Sequence, residues 1–212
     1  MAYNFEEQDQ IDDLKAFWNK YGNFILTVVT VIALSVAGYR LWGWYQHKTA
    51  GEAAGAYAVL QEAARDKDMA RVTGASQTLF DEYGSSILAP MGALVAAKTY
   101  FEANELDKAA DALRWVIDNA ADSEFAPIAR VRLAGVLLDQ NKAEDGLAVL
   151  DAGAPPEAFK VMVHDRRGDL LVALGRNKDA IAEYEAALDS IGTARGPQGS
   201  IRLKLAALKT GS

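Results

Sequence analysis

The chain has 212 residues, 29 acidic against 22 basic side chains, two histidines and no cysteine, for a formal net charge of -7 with half of its residues hydrophobic. That suits one modest domain plus an appendage, and excludes a disulfide frame, a thiol nucleophile, a redox pair, a thiolate metal site and an acylated cysteine. The acidic balance also argues against broad nucleic-acid binding, which needs clustered Lys and Arg to displace counterions.

The first predicted element is a membrane span. Residues Tyr21 to Tyr39 are 19 in a row without a charge, including Phe24-Ile25-Leu26 and Val31-Ile32-Ala33-Leu34. A helix of that length covers roughly 28 Å, close to the hydrocarbon thickness of a bilayer. Tolerating Arg40, whose long stem can snorkel toward head groups, extends the span to Tyr45. Aromatics flank it: Trp18 and Tyr21 before, Tyr39, Trp42, Trp44 and Tyr45 after. A buried soluble helix is the competing reading. Three segments are expected: an N-terminal tail (1–20), a transmembrane helix (21–45) and a repeat domain (46–212).

Ser35-Val36-Ala37 could end a cleaved signal peptide. The preceding segment, however, carries Glu6, Glu7, Asp9, Asp12 and Asp13 against Lys15 and Lys20, and the apolar stretch is long. Both features favour an uncleaved signal-anchor. Lys15 and Lys20 before the span balance Arg40 and Lys48 after it, so the positive-inside rule returns no orientation. Thr30, Ala33, Ala37 and Gly38 form a candidate packing flank, since small side chains let membrane helices approach closely. The alternative is small residues scattered by chance. Tyr45 to Arg65 contains no proline, so the span is expected to run into the first repeat with at most a brief interruption.

From residue 46 onward the pattern reads as all-α. Short breaks punctuate helical segments at Asp66-Lys67-Asp68, Tyr83-Gly84-Ser85-Ser86, Asn104-Glu105, Ala121-Asp122-Ser123, Gln140-Asn141-Lys142, Gly153-Ala154-Pro155-Pro156 and Gly175-Arg176-Asn177. Pro90 and Pro127 suit first helical turns. Small residues recur at Ala75, Ala109, Gly146 and Ala180, with Leu79, Leu113, Leu150 and Tyr184 one helical turn later. Asn104, Asn141 and Gly175 repeat at the turn.

These residues resemble the tetratricopeptide repeat, a helix-turn-helix unit of about 34 residues. The last unit matches best, through Gly168, Leu171, Gly175, Ala180, Tyr184 and Ala187. It departs from the pattern at His164 and Arg167, where an aromatic residue and a leucine are usual. The first unit, roughly Lys48 to Tyr83, is the most degenerate, and an unrelated helical bundle remains the alternative fold. In the tail, Ile201, Leu205 and Leu208 share one helical face, with Arg202, Lys204 and Lys209 around it. This segment suits a lid over the last repeat; a frayed terminus is the blander reading.

No motif for catalysis, a cofactor or a metal emerges: there is no phosphate-binding glycine loop, and His47 and His164 are too far apart for a paired metal motif. His47 reads as an interfacial polar residue and His164 as part of a solvated charged face. What a helical solenoid offers is a curved surface for another polypeptide. Carrying over the tetratricopeptide register puts Lys98, Phe101, Leu138, Asp139, Asp165 and Asp169 on the inner, protein-binding face. Alternatively, Phe101 and Leu138 are core and the charges merely solvated.

The acidic tail from Phe5 to Trp18, with Glu7-Gln8 leading to Leu14-Lys15-Ala16-Phe17-Trp18, then Tyr21-Gly22-Asn23, a single span and degenerate repeats, resembles the YfgM-type family of ancillary SecYEG translocon subunits over essentially the whole chain. The resemblance implies a single-pass inner-membrane protein in contact with lipid, with its N-terminus cytoplasmic and its repeats periplasmic. It implies the SecYEG translocon and a PpiD-like periplasmic chaperone as partners; from charge and missing motifs, no nucleic acid, small-molecule substrate or cofactor is expected. A scaffold of the same architecture for envelope assembly or cell division is the rival expectation, and a regulator of an enzyme a third.

Overall fold

The computed structural model describes the backbone of residues 3–120, 124–190 and 198–210, with side chains from residue 15 onward except those at 16, 25 and 41–48. Every element among them is helical. They fall into two compact units, Met1–Gly51 and Glu52–Ser212.

The first unit consists of the leading part of α1 (Tyr3–Asp66), a helix of 64 residues without a non-helical break. The helix is therefore continuous through Tyr45 to Arg65, where a brief interruption at most is expected from the sequence. Within it, Phe17–Arg40 is long and apolar enough to cross a membrane by length and composition. Its side chains point outward: Phe24 is 70% exposed and Leu34 67%. An unbroken apolar rod of this kind has no hydrophobic driving force to stay in water and needs lipid or protein around it. Its hydroxyls fit that setting, since Thr27, Thr30 and Ser35 each donate to the carbonyl one turn back, at 2.7, 2.7 and 2.8 Å. Those three donors are satisfied within the helix itself. At the leading end Phe17 and Tyr21 lie with ring centroids 5.1 Å apart. The Lys20 ammonium sits 5.3 Å from the Tyr21 centroid, within cation–π range. The side chains of Trp42, Trp44, Tyr45 and His47 lie outside the described set.

The second unit is a row of antiparallel hairpins. The end of α1 pairs with α2 (Met69–Tyr83), α3 (Leu88–Glu102) with α4 (Leu106–Asn119), α5 (Phe125–Asp139) with α6 (Ala143–Asp151), and α7 (Lys160–Ala173) with α8 (Asn177–Asp189). A single 3-10 turn, Glu157–Phe159, leads into α7, and α9 (Gln198–Thr210) closes the row. The breaks between helices fall where the sequence places them; Ala121-Asp122-Ser123 lies outside the described residues. In α4 the buried Ala109, Ala112, Leu113 and Val116 recur three and four apart, the stripe that turns one face of a helix into a core. Pro90 and Pro127 sit in first turns, where a missing N–H costs no intrahelical bond.

The turns define the repeat. Lys67, Asn104, Asn141 and Gly175 all adopt left-handed φ, at 55, 61, 60 and 71°. After each, the next residue donates its N–H to a carbonyl five positions back: Asp68 to Ala63 at 3.0 Å, and Glu105 to Tyr100, Lys142 to Leu137 and Arg176 to Leu171 at 2.8 Å. This is a Schellman closure, and it needs one residue that tolerates left-handed backbone. Glycine and asparagine do so readily, whereas the lysine carries strain. Lys67→Asn is therefore expected to stabilise the domain by about 0.5 kcal/mol. A urea midpoint shifted downward would contradict this.

Aligned on these turns, the repeats are spaced 37, 37 and 34 residues apart. This corrects the expected register of the first unit. Each following helix begins with equivalent bonds, Val72 N–H to Asp68, Ala109 to Glu105, Gly146 to Lys142 and Ala180 to Arg176. Val72 and Ser76, not Ala75 and Leu79, are therefore the counterparts of Ala109 and Leu113. The sequence misleads because a second small-to-large spacing sits three residues later. Position by position the hairpins pair Leu60 with Ser76, Ala97 with Leu113, Ala134 with Leu150 and Gly168 with Tyr184, one member small and the other larger; all eight are buried. Large and small exchange helices between the first unit and the rest.

The C-terminal helix packs as a lid. Ile201 is fully buried in a cluster with Leu171, Ala180, Tyr184 and Ala187, joined by Leu205 and Leu208. The three apolar residues expected to share a face do so.

Candidate interaction surface

The first helices of successive hairpins bring their exposed flanks together. Lys98 and Phe101 lie one turn apart on α3, while Arg132, Gly135, Val136 and Asp139 follow a three-and-four spacing on α5. With Ala97, Leu113 of α4 and Arg166 of α7 they line a trough of about 390 Å³. Its floor is apolar, and Phe101, 43% exposed, is the largest open hydrophobic side chain in it.

The charges along the rim are uneven. Lys98 pairs with Glu102 at 3.6 Å on an exposed flank, a contact worth little in water. Arg132 has no hydrogen-bond or ion-pair partner among the described residues. The Arg166 guanidinium lies against Gly135, where an added Cβ would stand 3.2 Å from Cζ and move the arginine tip by a few tenths of an ångström. Arg166 reaches Asp169 at 3.4 Å, and its Nε is buried without a partner. Against these three cations the trough offers one carboxylate, Asp139.

Of the six residues expected on the inner face, Lys98, Phe101 and Asp139 meet in this trough. Leu138 packs instead against the cluster of Val131, Ala134, Leu150, Val163 and Leu170. Asp165 and Asp169, on α7, are engaged by the lid: Lys204 Nζ stands 2.8 Å from Asp165 Oδ1 and 2.6 Å from Asp169 Oδ1. Arg132, Gly135 and Arg166 are absent from the sequence-derived set. Arg132 and Arg166 each stand nine residues before a left-handed turn, so alignment on Asn141 and Gly175 would have paired them.

Two polar braces hold the last repeats. His164 Nδ1 lies 2.6 Å from Glu183 Oε2, with Arg167 bridging Glu183 and Asp151. His164 is thus an internal strut between α7 and α8, not part of a solvated face. In the other brace the Tyr184 hydroxyl donates to Asp169 Oδ1 at 2.9 Å, beneath Lys204. Burial first, and the bond to Asp169 second, push the Tyr184 phenol above its usual range. For Lys204, burial alone would lower the value, but the carboxylates of Asp165 and Asp169 outweigh it and the ammonium is held above its usual range. Both folded values are raised, so their stabilisation is complete below about pH 10 and is lost as pH climbs through the folded values. Melting temperature is expected to fall above about pH 10, more steeply than in Tyr184→Phe. Equal slopes would contradict the brace.

On the membrane-type helix, Thr30, Ala33 and Ala37 fall within about 60° of one another at 100° per residue, and Gly38 about 100° round from Ala37. All four are exposed, and a Cβ at Gly38 would meet nothing within 4 Å. The flank is open.

Residues 15–210 match the tetratricopeptide repeat-like domain family. Over 217 aligned residues, covering 100% of this chain and 99% of the relative, the sequence is 33% identical to a protein of Neisseria gonorrhoeae named ancillary SecYEG translocon subunit. Proteins of the same name in Escherichia coli K12 and Haemophilus influenzae are 26% and 24% identical, with 87% and 90% of this chain covered and 88% and 92% of theirs.

Proposed function

This chain belongs to the tetratricopeptide repeat-like family of the ancillary SecYEG translocon subunits, and from that membership we propose that it is a non-catalytic, single-pass accessory subunit of the Sec translocon. The observation that carries this reading is a similarity running through both the apolar helix and the repeats, so that anchor and repeat domain are related as one unit. The anchor lies in the inner membrane and presents Thr30, Ala33, Ala37 and Gly38 to a neighbouring membrane helix. The N-terminal tail faces the cytoplasm and the repeat domain the periplasm, where it binds a PpiD-like chaperone or client polypeptides. Holding channel and chaperone on one chain raises their effective concentration without a chemical step.

Purification from native membranes in mild detergent tests the assignment. Recovery of the secretion channel is expected; recovery of division or wall-synthesis proteins without it would overturn the reading. Orientation is testable because the chain has no cysteine. In intact cells an impermeant maleimide is expected to label Lys178→Cys but not Gln8→Cys, and the reverse pattern would invert the topology.

A further inference from the structure

We propose that the groove between α2 and α4 receives a polypeptide segment carrying an arginine, whose guanidinium lies along the Phe80–Trp115 stack and pairs with Asp81. The assignment rests on the reading of the repeat domain as a polypeptide-binding module. It adds a second surface, however, on the second helices of the hairpins, which shares no lining residue with the trough.

The groove, of about 470 Å³, has two unlike ends. At one end Thr73 and Lys108 converge on Tyr100: the Thr73 and Tyr100 hydroxyls are 2.9 Å apart, and the Lys108 ammonium stands 5.5 Å from the ring centroid. At the other end Phe80 and Trp115 stack, with centroids 4.4 Å apart and planes 17° from parallel. Between them the floor residues Ser76 and Ala112 are small and buried, which leaves the hollow open.

Charge distinguishes the ends. Lys108 is answered by Glu105 at 2.6 Å, and Asp111 by Arg114 at 2.8 Å. Asp81 has no hydrogen-bond or ion-pair partner among the described residues. It stands with Glu82 in the last turn of α2, as Asp118 does in the last turn of α4, and neither turn contains a basic residue. A helix C-terminus is itself partly negative, so these carboxylates oppose the dipole instead of complementing it. Two such ends beside an aromatic stack make a negative mouth that an incoming cation relieves. A metal ion or an ammonium uses the charge and leaves the rings idle. A guanidinium uses both, because it is planar, weakly hydrated, stacks on aromatic faces and forks onto a carboxylate. Midway, the exposed Gln77 amide has no partner among the described residues and offers a peptide backbone one donor group and one acceptor. Thr73 to Asp81 covers about 12 Å of helix, room for about three or four extended residues. That reach and the free amide favour a polypeptide over a lone small cation.

The probe is a fluorescein-labelled peptide with two arginines in a Gly-Ser background, titrated by anisotropy against the full-length protein in nanodiscs of neutral lipid. Counterparts with lysine, glutamate or citrulline, the neutral isostere of arginine, serve as comparisons. The arginine peptide is expected to bind at least about tenfold more tightly than the citrulline one at low salt, with the gap closing as salt rises. Asp81→Arg should lose that preference and gain affinity for the glutamate peptide, a reversal that misfolding cannot imitate. Asp139→Arg, in the trough, alters the net charge equally and should change nothing. Trp115→Leu should bring the arginine peptide down to the level of the lysine one. Equal binding of the arginine and citrulline peptides would overturn the proposal. So would loss of binding in Asp139→Arg with Asp81→Arg unaffected, which seats the peptide in the trough, or displacement by arginine amide at matching concentration, which marks a pocket for a lone side chain. Copurification of the secretion channel is indifferent to all of these results, so this site and the accessory role fail separately.

Discussion

Gly168→Ala destabilises the repeat domain by about 1–3 kcal/mol, although alanine in a helix interior is ordinarily favoured over glycine by up to about 1 kcal/mol. The reversal comes from Tyr184. A Cβ on Gly168 falls 2.6 Å from Cδ1 and 2.7 Å from Cζ of that ring, closer than real Cβ contacts come. The ring cannot simply swing away, because its hydroxyl is tied to Asp169 at 2.9 Å and its side chain is buried between α7 and α8. The neighbouring repeats supply the control. At the equivalent positions they carry Ala97 with Leu113 and Ala134 with Leu150, so alanine is acceptable when the partner is leucine. Tyr184→Leu alone should cost about 1–3 kcal/mol through lost packing and the lost hydrogen bond to Asp169, which keeps Lys204 as a partner. In the double variant the two penalties should add to less than their sum, by about 1 kcal/mol or more. Urea unfolding of the four proteins, followed by circular dichroism, reads this directly; a Gly168→Ala variant as stable as its parent would show that the helices separate without cost.

Ile201→Ala is the second large effect, a loss of about 2–5 kcal/mol. Ile201 is fully buried and is the one α9 residue completely covered, with Leu205 and Leu208 packed at the edge of the same cluster. Without its side chain the lid is held mainly by Lys204 on Asp165 and Asp169 and by Lys209 on Glu185 at 2.7 Å, and the last of these pairs is half exposed. The expected signature is local: faster amide exchange in α9 and around Leu171 and Tyr184, with α3 and α4 unchanged, since a row of repeats transmits stability to nearest neighbours. Uniform loss of protection along the whole row would mean that the lid closes a single cooperative core instead.

Much of this architecture was legible because it rests on local rules. The apolar window, the helix breaks, the left-handed turns at Asn104, Asn141 and Gly175, and the Ile201-Leu205-Leu208 face each follow from spacing or backbone preference within a few residues. The first unit was not, and for a definable reason. Its turn residue is a lysine, which announces no left-handed backbone, and its large side chain sits on the first helix, at Leu60, so the usual small-then-large order is inverted. The interaction surface was half legible. Lys98, Phe101 and Asp139 follow from the helical register, but Asp165 and Asp169 look equally open until α9, which begins nearly thirty residues beyond Asp169, places Lys204 on them. Arg132 and Arg166 were hidden because each lies within a charged or mixed stretch and becomes notable only when adjacent helices bring them to one hollow.

The lid follows the repeats in chain order, and that has a consequence for how the polypeptide is born. Each hairpin can close on the one before it as the chain lengthens, because its partners have already left the ribosome. The eighth helix is the exception: the apolar ground around Leu171, Tyr184 and Ala187 stays wet until α9 is made. A nascent chain stalled before Ile201 would therefore expose a sticky surface that α9 hides, and quality-control proteases should recognise such a stalled product far more readily than one extended through α9.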